Sequence, residues 1–513
     1  LKSDEHKNSG CEQLRKGMQV PATIHSLAPG GQGLTRERGM PVFVDRVAPG
    51  DQVEIELFDV RKDFARGRLV RLVSGSEQRS EPPCKLFKVC GGCQWQHIGY
   101  DWQLKAKEDI VRQTIKHIGG LDPALVLPAV GAAQPLYYRN KVQFPVASPH
   151  GSFRILAGYY KQDSHELVNV KHCPIQPEAL DRMLAAVKNA CEKHKVTVYD
   201  EKTRRGLLRH IAARYSFDGA NILVTLVVNA TKPGHAGKPG AGHEPFKLPV
   251  FEAIARELMA IMPEISGVCL NFNQRAGNRI VGDVTLPLAG QPYIIERLKT
   301  DRDDLPAVLR AGLLFKLSPT SFFQVNTVQA CRLMEQIIDA INLPARPFRR
   351  EKPVIVDAYA GVGAIALWVS AVASKVVAVE EHAAAVADGR LNLEMNNLQN
   401  VEFIEGEVEK VLPELDQDNL APDILIVDPP RKGLSPSALG SIVSLKPARI
   451  VYVSCNPATL ARDLKLLEHN GYKTKQIQPV DMFPQTYHIE SVTVLDGINE
   501  EEAREGGPGD GRN

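Results

Sequence analysis

The sequence predicts a multidomain α/β protein: an N-terminal OB-like β-barrel, a central α+β region and a C-terminal Rossmann-like, doubly wound sheet. Three observations carry this. The chain has 513 residues, room for roughly two to four domains. Its composition is ordinary, 43% hydrophobic and 24% charged, which excludes wholesale disorder, collagen and a coiled-coil rod. Its periodicity also changes along the chain, from short β runs to a mixed region and then to strict strand–helix alternation.

Taken in order, residues 1–14 read as a polar tail. Residues 15–75 hold strand-length runs such as PVFVDRVAPG and DQVEIELFDVRK, punctuated by PGGQG and APGD. This predicts a barrel of about five strands. In RGRLVRLV, alternation is expected to put arginines on one face and apolar residues on the other. That face is either ordinary solvated surface or an oligonucleotide platform. Residues 76–310 open with a cysteine cluster and an amphipathic helix, Tyr100 to Ile118. Strands follow in NKVQFPVA, ILAGYYK, LLRHIAARYS and ILVTLVVN, with a helix from Ala179 to Lys193. The stretch 232–249 is Gly/Pro-rich and reads as a loop. A basic run, KTRRGLLRHIAAR, covers 202–214, and a basic knot, ARPFRREK, precedes the last domain, 311–498. There VIVDAYA, VVAVE, VEFIEG, DILIVDPP and IVYVSCNP alternate with helices such as His382–Asn396 and Pro457–His469. Ligands are expected at the carboxyl ends of such strands. KTKQIQPVDM and ESVTVLD have no helix between them and predict a closing hairpin. Residues 499–513 are an acidic tail.

The formal net charge is only +2, but it is unevenly spread. Residues 1–353 carry +13, residues 354–498 carry −8 and the tail −3. A basic front suits a polyanion, while the acidic back does something else. No apolar run approaches the ~20 residues needed to span a bilayer. The polar start LKSDEHKNSG has no signal-peptide core, so a cytoplasmic protein is expected. Oligomeric state is not legible.

The first C-terminal strand ends in Asp357 and a glycine turn, Gly361-Val362-Gly363. Glycines let backbone approach a ligand at the start of a helix. Each alone is as well explained by an ordinary tight turn. The next strand ends in Glu380, a carboxylate suited to ribose hydroxyls. The fourth ends in Asp428-Pro429-Pro430. The loop AGVG lacks the third glycine of a dinucleotide fingerprint, so the set fits S-adenosylmethionine better than NAD; a folate methyl donor fits less well. Cys455 lies at the fifth strand end, just before a helix N-terminus that favours a thiolate. Most lone cysteines are inert core residues; this one shares its rim with Asp428. Glu490 starts the last strand and is a candidate general base. A thiolate, a methyl donor and a carboxylate together suit C5 of uracil. That carbon becomes nucleophilic only after a thiolate adds to C6, and its proton must later be removed.

Cys84, Cys90 and Cys93 form Cys-x5-Cys-Gly-Gly-Cys, and Cys173 can supply a fourth thiolate. Four thiolates suit either a [4Fe–4S] cluster or zinc, and the spacing does not choose between them. His97 reads as a structural hydrogen-bonding residue. Cys11, Cys191, Cys269 and Cys331 read as ordinary thiols.

The motifs DAYAGVG, DPPRKGL, SCNPATLARDL, FPQTYHIE, LSPTSFFQVN (317–326) and PPCKLFKVCGGCQWQH resemble those of the RNA uracil-5-methyltransferase family. The resemblance spans about Arg15 to Asp496. It implies a TRAM domain for the barrel, an iron–sulfur central domain and a methyltransferase domain. Barrel plus cluster is most similar to the bacterial enzymes acting on 23S rRNA, with the T-loop uridine of tRNA as the nearer alternative. A non-catalytic RNA-binding assembly factor is the more distant one. The family's nucleophile falls on Cys455 and its base on Glu490. Its S-adenosylmethionine contacts fall on Gln324, Tyr359, Gly361, Gly363, Glu380 and Asp428. The resemblance favours [4Fe–4S] over zinc at Cys84, Cys90, Cys93 and Cys173. The chain departs from the pattern at Ala364 and Glu407, which puts those two side-chain contacts in doubt. Phe322 and Phe323 are candidates for stacking on a base or for core packing, and Arg204 to Arg214 for phosphate contacts.

Overall fold

The computed structural model describes residues 13–149, 151–232, 246–275, 277, 279–344, 350–417 and 420–498. Most of the expected N-terminal tail, residues 233–245 of the Gly/Pro-rich stretch, residues 345–349 of the basic knot and the acidic tail lie outside the described residues.

The N-terminal strands are β1 (Gln19–Thr23), β2 (Ser26–Leu27), β3 (Gly33–Glu37), β4 (Met40–Val44), β5 (Gln52–Val60) and β6 (Ala65–Ser74). They form one six-stranded sheet, ordered β1-β5-β6-β4-β3-β2. The expected count of about five omits β3, which turns Gly33 and Thr35 inward and so lacks an apolar alternation. Val53, Ile55 and Leu57 of β5 point into the core with Val42, Val44 and Ala65, as period-two alternation dictates. In β6 the alternation holds only at the start. Pairing with β5 slips between Glu54 and Ile55, and beyond it Val70, Leu72 and Val73 are exposed beside the arginines. The extra residue of a bulge reverses which side chains face inward.

The helix α1 (Tyr100–Thr114) runs on through a π turn, Ile115–Gly119. Then come β7 (Lys141–Ala147), β8 (Leu156–Tyr160), β9 (Leu167–Asn169), α2 (Glu178–Lys193), β10 (Leu208–Tyr215), β11 (Ile222–Val228), α3 (Leu248–Ile261), β12 (Ile265–Phe272) and β13 (Val284–Gly290). Their strands form a seven-stranded sheet, ordered β13-β12-β11-β10-β7-β8-β9. It is antiparallel except where α3 carries the chain between the parallel strands β11 and β12. Helices α2 and α3 cover it with Leu180, Met183, Val187, Phe251, Ile254 and Leu258.

A hairpin of β14 (Ile294–Leu298) and β15 (Leu313–Leu317) brackets α4 (Ala307–Ala311). Its apolar side chains lie in the C-terminal core, so the sequence boundary at 310/311 runs through this hairpin. After α5 (Thr327–Asn342) come β16 (Val354–Ala358), α6 (Ala364–Val369), β17 (Lys375–Glu380), α7 (Ala383–Met395), β18 (Val401–Glu405), α8 (Val408–Gln417), β19 (Ile424–Val427), α9 (Pro436–Leu445), β20 (Arg449–Ser454), α10 (Pro457–His469), β21 (Tyr472–Val480) and β22 (Glu490–Gly497). The sheet order is β18-β17-β16-β19-β20-β22-β21. The first five strands are parallel, and β22 inserts antiparallel between β20 and β21. The expected doubly wound sheet and closing hairpin are both present.

One helix packs elsewhere than its place in the chain suggests. Val111 of α1 and Ile115 of the π turn are buried with Val356, Leu464 and Ile477 of the C-terminal core. Val126 and Val130 bridge in parallel to Ile477 and Val480, extending that sheet at the β21 edge. Among the described residues no helix is long and apolar enough to cross a membrane.

Candidate active site at the strand ends

Because β16, β17, β19 and β20 are parallel, their carboxyl ends share one rim. At the end of β16 the chain turns through three residues in the left-handed region: Tyr359 at φ +66°, Gly361 at +58° and Gly363 at +84°. A side chain on Gly363 would meet the Phe403 ring at 2.6 Å and Leu367 at 2.7 Å, so this position requires glycine on two grounds. Gly361 opens onto free space. Its N–H donates to Glu380 Oε2 at 2.9 Å, while Glu380 Oε1 accepts the His382 N–H at 2.9 Å. The carboxylate at the β17 end thus ties the glycine turn to the start of α7.

Asp357 is fully buried, and neither carboxylate oxygen has a geometrically sound hydrogen bond. Burial first, then the charges of Asp428 and Glu380, hold its acid well above the usual carboxylate range. Asp428 keeps some exposed surface, but its carboxyl is enclosed by protein, and burial pushes its pKa up to about 7. Glu490 is buried; desolvation and the charge of Asp428 push it well above the ordinary value, against the opposing field of Arg431. Cys455 is half-buried. Burial, then the charges of Glu490 and Asp428, push its thiol up to about 11, with Arg431 opposing. The expected thiolate at the start of α10 is therefore not the resting form, because desolvation and two carboxylates outweigh the helix end.

The rim is held together by short-range bonds. Asn456 caps α10, accepting the Ala458 N–H at 3.1 Å, and its amide donates to the Arg431 carbonyl at 3.2 Å. This joins the loop of Cys455 to the turn of Asp428. Gln324 is half-buried in the loop between β15 and α5, and its carbonyl accepts the Asn140 amide at 2.9 Å. The Arg214 guanidinium donates to the Ser321 carbonyl in the same loop. Phe323 is 3% exposed and packs on Phe315, whereas Phe322 is 66% exposed; only the second is free to stack. Ala364 opens α6, and the Glu407 carboxylate pairs with Lys410 at 2.8 Å.

Three residues that sequence reasoning left out of the site lie at this rim or on the β7 strand that holds its loop. Arg431 acts electrostatically on Cys455, Glu490 and His488; its place three residues after Asp428 was the available signal. Asp357 sits in the first motif. Lys141 begins β7 beside Asn140, and burial plus the fields of Arg214 and Arg139 lower its pKa to about 7. Within the basic run, Arg204 and Arg205 are exposed. Arg209 and Arg214 are buried on backbone carbonyls, so these two do not form the expected phosphate face.

The second cluster is built by the segment before α1 and the turn after β9. Cys84, Cys90, Cys93 and Cys173 are free thiols. Charge on one acts on the next: Cys84 on Cys90, Cys90 on Cys93, Cys93 and Cys84 on Cys173. Burial pushes Cys93 and Cys173 up to about 12. The Gly92 N–H donates to Cys90 Sγ at 3.4 Å, and Gly91 lies against Gln162, where a Cβ would meet backbone at 2.9 Å. Four cysteines are the donor chemistry of a four-thiolate centre. Among the described residues, however, no group of three or more His, Cys, Asp or Glu side chains is close enough to hold a metal ion. His97 is buried against Phe87.

The glycine turn and the carboxyl groups at the ends of parallel strands are consistent with an S-adenosylmethionine-dependent methyltransferase. Residues 295–497 match the family described as tRNA (uracil-5-)-methyltransferase, and residues 13–70 match the TRAM domain. An uncharacterized RNA methyltransferase of Bacillus cereus is 37% identical over 482 residues, covering 94% of this chain and 98% of its own. One from Thermosynechococcus vestitus is 39% identical over 482 residues with the same coverage. The structure of Pyrococcus abyssi tRNA (uracil-54, C5)-methyltransferase in complex with S-adenosyl-L-homocysteine superposes with a TM-score of 0.68 at 25% identity. The match covers 93% of this chain and 100% of that one. The chain belongs to the RNA uracil-5-methyltransferase family, with an N-terminal TRAM domain, and its substrate is an RNA.

Proposed function

We propose that the enzyme methylates C5 of a uridine in 23S rRNA, with Cys455 as nucleophile and Glu490 as base. The observation that carries this is the convergence of Cys455, Glu490 and Asp428 at one rim, where each carboxylate acts on the thiol. S-adenosylmethionine supplies an electrophilic methyl group. Gln324, Tyr359, Gly361, Gly363, Glu380 and Asp428 hold it, with the buried carboxyl of Asp357 behind them. The target base is extruded from its stack and lies on the exposed ring of Phe322. The Cys455 thiol loses its proton to solvent, the thiolate forms a bond to C6, and the resulting enolate makes C5 nucleophilic. C5 takes the methyl group as the donor's S–CH3 bond breaks and S-adenosylhomocysteine is released, and Glu490, as the carboxylate, then removes the C5 proton. That electron pair restores the C5–C6 double bond and the C6–S bond breaks, returning the thiolate. Phosphates contact the barrel at 15–75 and the exposed Arg204 and Arg205 of the central domain at 76–310; the reaction belongs to 311–498.

Cys84, Cys90, Cys93 and Cys173 hold a [4Fe–4S] cluster in this reading, with a structural or RNA-positioning role. Protein purified without air is expected to be brown and to contain iron; a colourless, zinc-bearing protein overturns the cluster. Tritiated methyl donor and RNA test the mechanism: Cys455→Ala is expected to abolish incorporation, and full activity in that variant sinks the assignment. A second reading, the T-loop uridine of tRNA, is favoured by the Pyrococcus abyssi relative. Mapping the missing 5-methyluridine in a deletion strain separates the two RNAs.

A further inference from the structure

Glu490 is preceded by a nine-residue segment, 481–489, that belongs to no helix or strand. Three side chains of α1 reach it. Tyr100, Gln103 and Lys107 are spaced by three and four residues and so share one helix face. Tyr100 donates to Asp481 Oδ2 at 2.9 Å, and Lys107 pairs with Asp481 Oδ1 at 2.5 Å. Gln103 meets Gln485, and Gln485 uses all its polar groups. Its N–H donates to Gln103 Oε1 at 3.0 Å, and its Oε1 accepts Gln103 Nε2 at 3.1 Å. Its carbonyl accepts the N–H groups of Gln94 at 3.2 Å and Trp95 at 3.0 Å. Its Nε2 donates to the Pro135 carbonyl at 3.4 Å. The neighbouring Pro484 carbonyl accepts the Tyr138 hydroxyl at 3.0 Å.

Gln485 is buried and sits at φ +70°. This is a conformation glycine adopts freely and other residues adopt only where their surroundings over-determine them. The presence of a long amide here points to a side chain that is used. The segment it pins leads in five residues to the base, whereas Cys455 stands on another loop held by Asn456 and Arg431.

We infer that Gln485 is a positioning residue for proton abstraction: by locking segment 481–489 onto α1 and onto the peptide after Cys93, it places Glu490 against C5 without touching the substrate. The inference rests on the roles proposed for Cys455 and Glu490. Loosening the base slows the last step selectively. The C6–S bond forms and the methyl group is transferred, but removal of the C5 proton and release of Cys455 lag, so a methylated protein–RNA adduct accumulates.

The test uses the full-length protein, tritiated S-adenosylmethionine and an equimolar mixture of unmodified 23S rRNA and tRNA transcripts. Adduct is resolved on denaturing gels after rapid quenching. Gln485→Gly keeps the backbone bonds and suits the φ angle; Gln103→Ala loosens the clamp from the opposite side. Both are expected to lower steady-state turnover about tenfold or more. First-turnover methyl incorporation stays within about threefold of wild type and labelled adduct builds up. Gln485→Asn, tolerated at positive φ, is expected to recover part of the turnover. Equal loss of first turnover and steady state without adduct, or unchanged turnover in both variants, overturns the inference. Glu490→Gln is the separate control. Adduct in that variant supports the assignment of the base, and full turnover there overturns the base itself rather than its clamp.

Discussion

The charge of Asp428 acts on Asp357, Glu490 and Cys455, and burial raises its own pKa to about 7, so in the cofactor role proposed for it Asp428 is expected to make capture pH-dependent. Its folded pKa is raised, so the carboxyl is neutral below about 7 and charged above. A cationic sulfonium binds the charged form better. Affinity for S-adenosylmethionine is therefore expected to weaken as pH falls through 7, approaching about tenfold per pH unit. Titration calorimetry between pH 6 and 8 measures this, and Asp428→Asn should bind weakly with little pH dependence over that range. The thiol offers a second test. Glu490 raises the Cys455 pKa and Arg431 lowers it. Iodoacetamide at pH 8 should alkylate Cys455 faster in Glu490→Gln and slower in Arg431→Met, each by roughly two- to tenfold. Equal rates in all three proteins would contradict this electrostatic picture.

At the scale of elements, α1 matters more than its position in the chain suggests. Its apolar face packs on the C-terminal sheet, and its polar face pins the segment before Glu490. Lys107 and Asp481 are both fully buried. Burial lowers the lysine pKa, while the aspartate charge opposes that shift. Replacing Lys107 by Met leaves the Asp481 carboxylate buried with only the Tyr100 hydroxyl and the Phe483 N–H as donors. This is expected to cost about 3–5 kcal/mol. The double variant Lys107→Met, Asp481→Asn should recover much of that loss, as read from urea midpoints. Amphipathic spacing made α1 legible as a helix. Its partner was not legible, because an apolar stripe does not specify which sheet will cover it.

Across the whole molecule, charge is divided along the chain, +13 over residues 1–353 and −11 over the remainder. In β6, Arg71 is engaged by Glu54 at 2.7 Å, while Arg68 lies over the Phe58 ring at 5.8 Å beside exposed Val70 and Leu72. Removing a phosphate-binding cation lowers the dependence of log affinity on log salt by about one per contact. Arg68→Ala should therefore flatten the salt dependence of RNA binding more than Arg71→Ala, whose charge is already partly satisfied. Filter binding from 50 to 300 mM salt decides it, and equal slopes would place the RNA elsewhere.

The sequence by itself determined the strand–helix alternation of the C-terminal sheet, the closing hairpin and the residues at the strand ends. Those signals are local: period, glycine at positive φ, and polar residues where an apolar run stops. It also carried the family motifs. Tertiary structure alone decided that α1 belongs to the C-terminal core, that Cys455 rests as a thiol and that the peptide after Cys93 bonds to Gln485. The first and last depend on groups far apart in the chain, as in the Gln103–Gln485 pair with a separation of 382, and the thiol on burial among side chains of other strand ends. Desolvation and long-range packing leave no periodic trace in a linear sequence.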